Sequence, residues 1–343
     1  MTLFLVIVAL LLLAYCGLKL YVSANFSEVK KEYRVAGYLI NKLSVFSTEA
    51  EARKKNAPAR NVNKKPGRHK DIRISEHIFD REDGKRGRVI VYAPNQISAN
   101  DAPRTGIFWV HGGGYLGGSP ASETTMAKLF VLETNSVVVS PEYTLSTVAP
   151  YPAGFDDAWA CLLWMKEHAE MLGINPHQLF IGGGSAGGGL VAALCLKARD
   201  TGAVQLAFQI PIYPMINDKM DTESAKNNHA FLWNSVTNEI AWKMYLGDLY
   251  GTDMVPKYAA AIRETDFSNL PPAYTYAGTL DPFYDDTVRY IQLLQKEGIP
   301  AKYDIYEGAY HGFDALNVWT HSVKECHKKL IQEFKYAQEH YHT

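Results

Sequence analysis

The 343-residue chain has almost no net charge, with 35 Lys and Arg against 36 Asp and Glu, a balance of −1. Without a basic excess there is no electrostatic footprint for nucleic acid, and that partner class is set aside. Cysteine is scarce too. Cys16, Cys161, Cys195 and Cys326 are the four present. They show no metal or disulfide spacing, and three lie in segments that read as helices, so buried free thiols are expected. No internal repeat or low-complexity tract occurs. What the chain does have is a globular composition, 47% hydrophobic and 21% charged. At this length that means one large α/β domain with an accessory cap, or two smaller domains.

The N-terminus lacks any Lys or Arg before its apolar run, residues 3–18, which extends to Val22 if Lys19 reaches back to the interface. About 20 helical residues span a bilayer. An uncleaved single-pass anchor over residues 1–22 is therefore expected. A cleaved signal peptide is the alternative, because Val22-Ser23-Ala24 has a cleavage-like form. Lys19, Lys30, Lys31 and Arg34 all follow the run, which places the body on the cytoplasmic side by the positive-inside rule. Asn25-Phe26-Ser27 is a glycosylation sequon that matters only on the opposite side. Residues 23–70 read as a cap helix and basic connector. Asn25 would be the N-cap with Glu28 three residues on, and Val29, Tyr33, Ala36, Leu39, Ile40 and Leu43 form one apolar stripe. The stripe suits a packing helix, a lid, or a helix resting on a membrane. The polar stretch 51–70 (Arg53, Lys54, Lys55, Arg60, Lys64, Lys65, Arg68, Lys70) reads as a solvated connector, with contact to anionic lipid headgroups as the alternative.

Residues 71–343 alternate strand and helix. Strands are expected at Ile72–Phe79, Val89–Ala93, Ile107–Val110, Val137–Val139, Gln178–Ile181, Leu206–Ile212, Ala273–Ala277 and Lys302–Tyr306. Glu82-Asp83-Gly84 marks a hairpin between the first two. Helices are expected up to about Glu133, around Phe155–Leu163, from about Ala186, at about Asp285–Glu297 and from Ser322. This rhythm predicts a mostly parallel sheet with helices on both faces. Residues 215–270, with Trp233, Trp242, Tyr245 and Tyr250, interrupt it and read as a helical cap insertion.

Two glycine-rich turns stand out. In Gly182-Gly183-Gly184-Ser185-Ala186-Gly187-Gly188-Gly189 the serine has the G-x-S-x-G spacing of a nucleophile elbow. A phosphate loop is disfavoured, since no Lys-Ser or Lys-Thr follows. The G-x-G-x-x-G spacing from Gly182 to Gly187 has no first dinucleotide-domain strand before it. The second turn, His111-Gly112-Gly113-Gly114-Tyr115, follows a buried strand. Its amides can turn inward unobstructed, and Gly112, Gly113 and Ala186 are the candidate donors to an oxyanion. A serine nucleophile needs a base and an orienting acid, in the order Ser, Asp, His on this kind of sheet. His311 sits in a loop after the last strand, whereas His229 is in the insertion and His321, His327, His340 and His342 are on or beyond the terminal helix. Asp281 follows the strand at Ala273–Ala277. Asp285 and Asp286, at the next helix start, are explained by capping.

With these segments in order, the chain resembles the hormone-sensitive-lipase-like branch of the α/β-hydrolase esterases, which includes arylacetamide deacetylase-like and bacterial acetyl esterases. The resemblance rests on His111-Gly112-Gly113-Gly114, Gly183-Gly184-Ser185-Ala186-Gly187-Gly188, Leu280-Asp281-Pro282 and His311-Gly312-Phe313. Tyr151-Pro152-Ala153 before Asp156-Asp157-Ala158 also fits, and the match covers roughly residues 75–335. It implies an α/β-hydrolase fold with an eight-stranded sheet, a helical cap and carboxylic ester hydrolysis. It also implies that His111, with Gly114, supports the oxyanion loop rather than acting as a base. Gly184 stands where the branch usually has Asp or Glu, and Tyr143-Thr144-Leu145 where it commonly has Tyr-Arg-Leu, which leaves a local ion pair in question. The expectation is a serine carboxylesterase acting on short- to medium-chain acyl or aryl esters, without metal or organic cofactor, with Tyr115 contributing to an apolar substrate pocket. The same triad also serves amidases, formamidases and carbohydrate deacetylases. A non-catalytic binding relative is the other class, but it normally lacks the histidine seen here at His311.

Overall fold

The computed structural model describes residues 2–57, 69–95 and 102–343. The eight strands, in chain order, are β1 (Ile72–Asp80), β2 (Arg86–Pro94), β3 (Arg104–Val110), β4 (Val137–Pro141), β5 (Ile174–Gly184), β6 (Phe208–Ile212), β7 (Ala273–Gly278) and β8 (Ala301–Tyr306). They form one sheet in the order β1-β2-β4-β3-β5-β6-β7-β8. Only β2 runs against its neighbours; β4 through β8 are mutually parallel. Parallel strands need crossovers, and these bring a helix onto each face.

Over the central strands both faces are dry, which explains why β3, β4, β6 and β7 read as continuous apolar runs, while the edge strands β1 and β8 are partly exposed. Phe108, Val110, Val137, Val139, Leu179 and Ile181 point to one side. They meet Phe155, Leu162 and Met165 of α5 (Ala153–Glu167), Leu190 and Leu194 of α6 (Ala186–Thr201), and Tyr290 and Leu294 of α8 (Tyr284–Lys296). Ile107, Trp109, Val138, Phe180 and Ile210 point to the other, the face of Phe130 of α4 (Thr124–Thr134), Phe313 of the short α9 (Phe313–Leu316), and Leu330 and Phe334 of α10 (His321–His340).

Three expectations change. Asn25 does not begin a helix. It ends α1 (Thr2–Asn25), and its amide folds back to donate to the Tyr21 carbonyl at 2.8 Å. The next helix, α2 (Arg34–Ser44), starts nine residues later because residues 26–33 turn to dock on the body, Lys30 N–H donating to the Gly308 carbonyl at 2.8 Å. The apolar stripe therefore splits, with Val29 and Tyr33 buried and Leu39 and Leu43 exposed. Secondly, Arg53, Lys54 and Lys55 lie in α3 (Glu49–Asn56), capped by the Thr48 hydroxyl, while Arg60, Lys64, Lys65 and Arg68 lie outside the described residues. Thirdly, the insertion is mostly loop, with a single α-helix, α7 (Ser235–Leu246), among its described residues. Aromatic packing and side-chain hydrogen bonds hold it in place of regular backbone pairing.

Within α1, the stretch Val6–Asn25 is long and apolar enough to cross a membrane, by length and composition. At 1.5 Å rise per residue, 20 residues reach about 30 Å, a hydrocarbon thickness.

The crowded centre of the fold is where α6 leaves β5. A Cβ on Gly187 would lie 2.2 Å from the Val110 carbonyl oxygen and 2.7 Å from that of His111, and one on Gly183 would lie 2.5 Å from the Val110 oxygen. On Gly184 it would meet nothing nearer than the Tyr213 ring at 3.3 Å. Gly187→Ala is therefore expected to cost about 3 kcal/mol or more through forced backbone separation, and Gly184→Ala under about 1 kcal/mol. Thermal unfolding of the two variants beside the wild type checks the ranking; equal midpoints would contradict it.

Candidate active site

Four loops at the carboxyl ends of β3, β5, β7 and β8 converge where an open α/β sheet places its ligands. Ser185 occupies the turn between β5 and α6 with φ 60° and ψ −123°, a left-handed conformation that non-glycine residues rarely adopt. Its amide donates to the Ile212 carbonyl at 2.9 Å, and its own carbonyl accepts from Met215 and Gly189. Backbone on both sides thus holds the strained residue, and its hydroxyl is left to project from the sheet.

That hydroxyl lies 2.8 Å from His311 Nε2, and His311 Nδ1 lies 2.8 Å from Asp281 Oδ2. Asp281 is fully buried and its second oxygen accepts the Phe283 amide at 2.8 Å, so the carboxylate cannot rotate away from the imidazole. The ring is wedged between Phe283, at 5.0 Å between centroids, and Tyr213, at 4.8 Å, both edge-on. The imidazole is therefore fixed on both nitrogens and both edges, with Nδ1 turned to Asp281 and Nε2 to the Ser185 hydroxyl. The rival carboxylates point elsewhere. Asp285 accepts the Ser224 amide and Asp286 accepts from Asn217, so both tether the insertion to α8.

The turn after β3 carries φ 117° at Gly113 and 61° at both Gly114 and Tyr115. The Leu116 and Gly117 amides close it by donating to the Gly113 carbonyl at 3.0 Å. Gly112, Gly113 and Gly114 face the same cavity as Ser185. Among the described residues no acceptor takes the amides of Gly112, Gly113 or Ala186. His111 lies beneath this turn, stacked on Tyr143 at 4.1 Å, with Nδ1 donating to the Gly112 carbonyl at 2.9 Å. Burial lowers its pKa to about 4. The ring is thus held neutral against the underside of the turn.

The cavity, about 560 Å³, is lined on its apolar sides by Leu43, Phe46, Trp109, Met126, Leu232 and Trp233, with Glu123 and His327 at a more polar part of the wall. Burial pushes the Glu123 carboxyl up to about 7, opposed by the hydrogen bond from the Trp109 indole at 2.8 Å. Trp233 comes from the aromatic insertion. Leu43 and Phe46 had no motif around them, and Trp109 was visible only as part of the buried strand leading to His111, with nothing to place its side chain at the cavity. Tyr115 does not line the cavity. It is buried on the other side of the turn, stacked on Tyr245 at 3.8 Å with its hydroxyl donating to the Met215 carbonyl. Its positive φ turns the ring inward to the insertion, a backbone detail the sequence did not reveal.

The two departures have local consequences. Without a side chain at Gly184, the space is taken by Tyr213, whose hydroxyl donates to buried Asp314 at 2.8 Å. Asp157 is satisfied without an arginine at position 144: the Thr144 amide donates to it at 2.7 Å and Arg81 pairs with it from the β1–β2 hairpin. Among the described residues no cluster of three or more His, Cys, Asp or Glu is placed to hold a metal ion.

Comparison with known proteins gives a consistent result. A family model described as alpha/beta hydrolase fold matches residues 107–315. Esterase LipI of Mycobacterium tuberculosis is 29% identical over 246 residues, 71% of this chain and 76% of that protein. Carboxylesterase NlhH of the same organism is 32% identical over 210 residues, 60% of this chain and 66% of the relative. Among solved structures, a bacterial heroin esterase superposes with a TM-score of 0.81 at 27% identity, over 92% of this chain and 99% of the other.

The buried neutral His111 gives stability a pH dependence. The unfolded chain binds its proton near pH 6.5, the folded chain only near 4, so the histidine's contribution is present above 6.5 and lost as pH falls towards 4. In His111→Gln this loss is absent. The stability gap between wild type and variant should therefore change by on the order of 3 kcal/mol between pH 7 and pH 4. Denaturant unfolding at the two pH values measures it, and a pH-independent gap would count against a buried neutral His111.

Proposed function

The chain belongs to the α/β-hydrolase fold family and is a carboxylic ester hydrolase, and we propose that it cleaves short- to medium-chain acyl or aryl esters through an acyl-enzyme formed on Ser185. The observation that carries this reading is the unbroken line Ser185–His311–Asp281, with two 2.8 Å contacts opening into the cavity.

As an ester carbonyl settles beside Ser185, His311 Nε2 takes the hydroxyl proton and Oγ attacks the carbonyl carbon. The imidazolium so formed is stabilised by Asp281. Charge moves onto the carbonyl oxygen, where the amides of Gly112, Gly113 and Ala186 receive it; each such donor is worth about 3–4 kcal/mol in the transition state. His311 then passes its proton to the leaving alkoxide oxygen, and the alcohol departs. Water enters, gives a proton to Nε2 and attacks the acyl carbon. Collapse of the second tetrahedral intermediate returns the proton to Ser185 and releases the acid. Phe46, Trp109, Leu232 and Trp233 give the cavity an apolar wall, and its volume suits a medium acyl chain or an aryl group. The esterase and carboxylesterase names of the relatives support an ester over an amide.

The same reading divides the chain into an anchor over residues 1–22, a cap and connector over 23–70, and a catalytic body over 71–343 with its insertion at about 215–270. An uncleaved anchor is supported by Val22, which is fully buried and accepts the Phe26 amide at 3.1 Å. Cleavage after Ala24 would remove that packing. The basic residues following the apolar run favour a cytoplasmic body.

With p-nitrophenyl esters of graded acyl length, Ser185→Ala should lose about 10⁴-fold or more in kcat, and Asp281→Asn a similar factor because the imidazole is left in the wrong tautomer. Turnover by Ser185→Ala equal to wild type would overturn the mechanism. Activity independent of chain length would remove the pocket argument.

A further inference from the structure

The exposed apolar side chains of the N-terminal region are not scattered. Leu39 and Leu43, one helical turn apart on α2, are 52% and 74% exposed, and Val318 and Trp319, before α10, are 40% and 62% exposed. Leu43 and Val318 line the cavity that contains Ser185. Leu39 and Trp319 line a second groove of about 750 Å³, walled on its other side by Tyr15 and Lys19 of α1. The two cavities therefore adjoin along α2 and the 318–319 loop, and the neighbouring side chains form one apolar strip from α1 to the ester site. Single exposed leucines need no explanation, but a contiguous apolar patch beside a substrate opening does.

We propose that this strip rests in the interfacial layer of the bilayer crossed by α1, so that esters enter the Ser185 cavity from the membrane rather than from water. The proposal rests on the esterase reading and on α1 as an uncleaved anchor.

Three observations select a bilayer over a second copy of the chain. The strip is continuous with α1, whose Leu10, Leu11, Leu12 and Leu13 are exposed along its length. The groove is rimmed by Lys19, Lys30 and Lys31 against one acid, Glu32, which pairs with Lys30 at 3.4 Å, so a cationic excess remains to meet lipid phosphates, and Trp319 supplies an amphipathic ring beside it. Its position relative to α1 is also fixed. Tyr21 packs edge-on against Tyr38 at 5.6 Å, Lys30 holds the Gly308 carbonyl, and the Tyr310 hydroxyl donates to the Tyr33 carbonyl at 3.4 Å. The segment that leaves the membrane is thus bonded to the loop carrying His311, and the mouth keeps its height above the lipid.

The test uses the full chain reconstituted in phosphatidylcholine–phosphatidylserine vesicles. The substrates are p-nitrophenyl acetate, supplied in water, and p-nitrophenyl decanoate, dissolved in the vesicles. Neither Leu39 nor Trp319 lines the ester cavity. Leu39→Glu/Trp319→Glu should keep acetate turnover within about twofold and lose decanoate turnover by about tenfold or more, since two charges now face the lipid. A parallel loss on both esters with an unchanged melting temperature, or no loss on either, overturns the proposal. So does a change in the mass of the detergent-solubilised particle, which would give the strip to a second copy. If the double variant does not fold, Trp319→Gln carries the same comparison. Failure of the esterase reading is distinguishable, because Ser185→Ala would then hydrolyse both esters at the wild-type rate.

Discussion

The structure depends on one close approach of backbone to backbone. The first turn of α6 presses against the last carbonyls of β3, with Gly187 where any side chain would lie about 2 Å from the Val110 oxygen. That contact brings the β5–α6 turn and the β3 turn side by side. It sets Ser185 beside Gly112 and Gly113, so the amides proposed to receive charge are placed by the same packing that strains the serine. Glycine is required here for proximity, whereas at Gly113 it is required both for a φ of 117° and because a Cβ would lie 2.3 Å from the Gly117 carbonyl oxygen. The two needs fall on adjoining loops, and together they account for the glycine density of both motifs.

Around this centre the remaining groups are held by redundancy. Asp281 has one oxygen on His311 and the other on the Phe283 amide, and His311 has aromatic edges on two sides. Buried polar groups satisfied on every side have no cheaper arrangement to relax into. The roof is assembled differently. Asn41 of α2 accepts the Leu232 amide, the Thr237 hydroxyl donates to the Phe46 carbonyl, and Phe46 packs edge-on against Trp233. Few of these contacts are regular backbone pairs, so the cap is the part of the protein where side-chain changes alter the cavity without disturbing the sheet.

Legibility in the sequence follows the same division. The strands and the helical layers on both faces were readable from runs such as Ile107–Val110 and Val137–Val139, whose neighbours face opposite cores, whereas the strand order was not. Buried strands must be apolar on both faces, and such runs are readable one residue at a time. The segments carrying Ser185, Asp281 and His311 were legible because each sits at a fixed offset from the end of a strand. Asn25 misled because a residue suited to an N-cap also suits the last turn of a helix, and only the path of the next eight residues decides between them. Tyr115 misled because its ring direction depends on a φ of 61°.

The sequence by itself determined the fold class and pointed to the segments that carry Ser185, Asp281 and His311, since strand periodicity and glycine spacing are local properties. Only the tertiary structure decided what surrounds them: that Leu43, Phe46, Trp109 and Trp233 share one cavity wall, that Arg81 takes Asp157, and that Trp319 stands beside α1. Those contacts join residues tens to hundreds of positions apart. Their free energy comes from packing and desolvation in three dimensions, which no short pattern encodes.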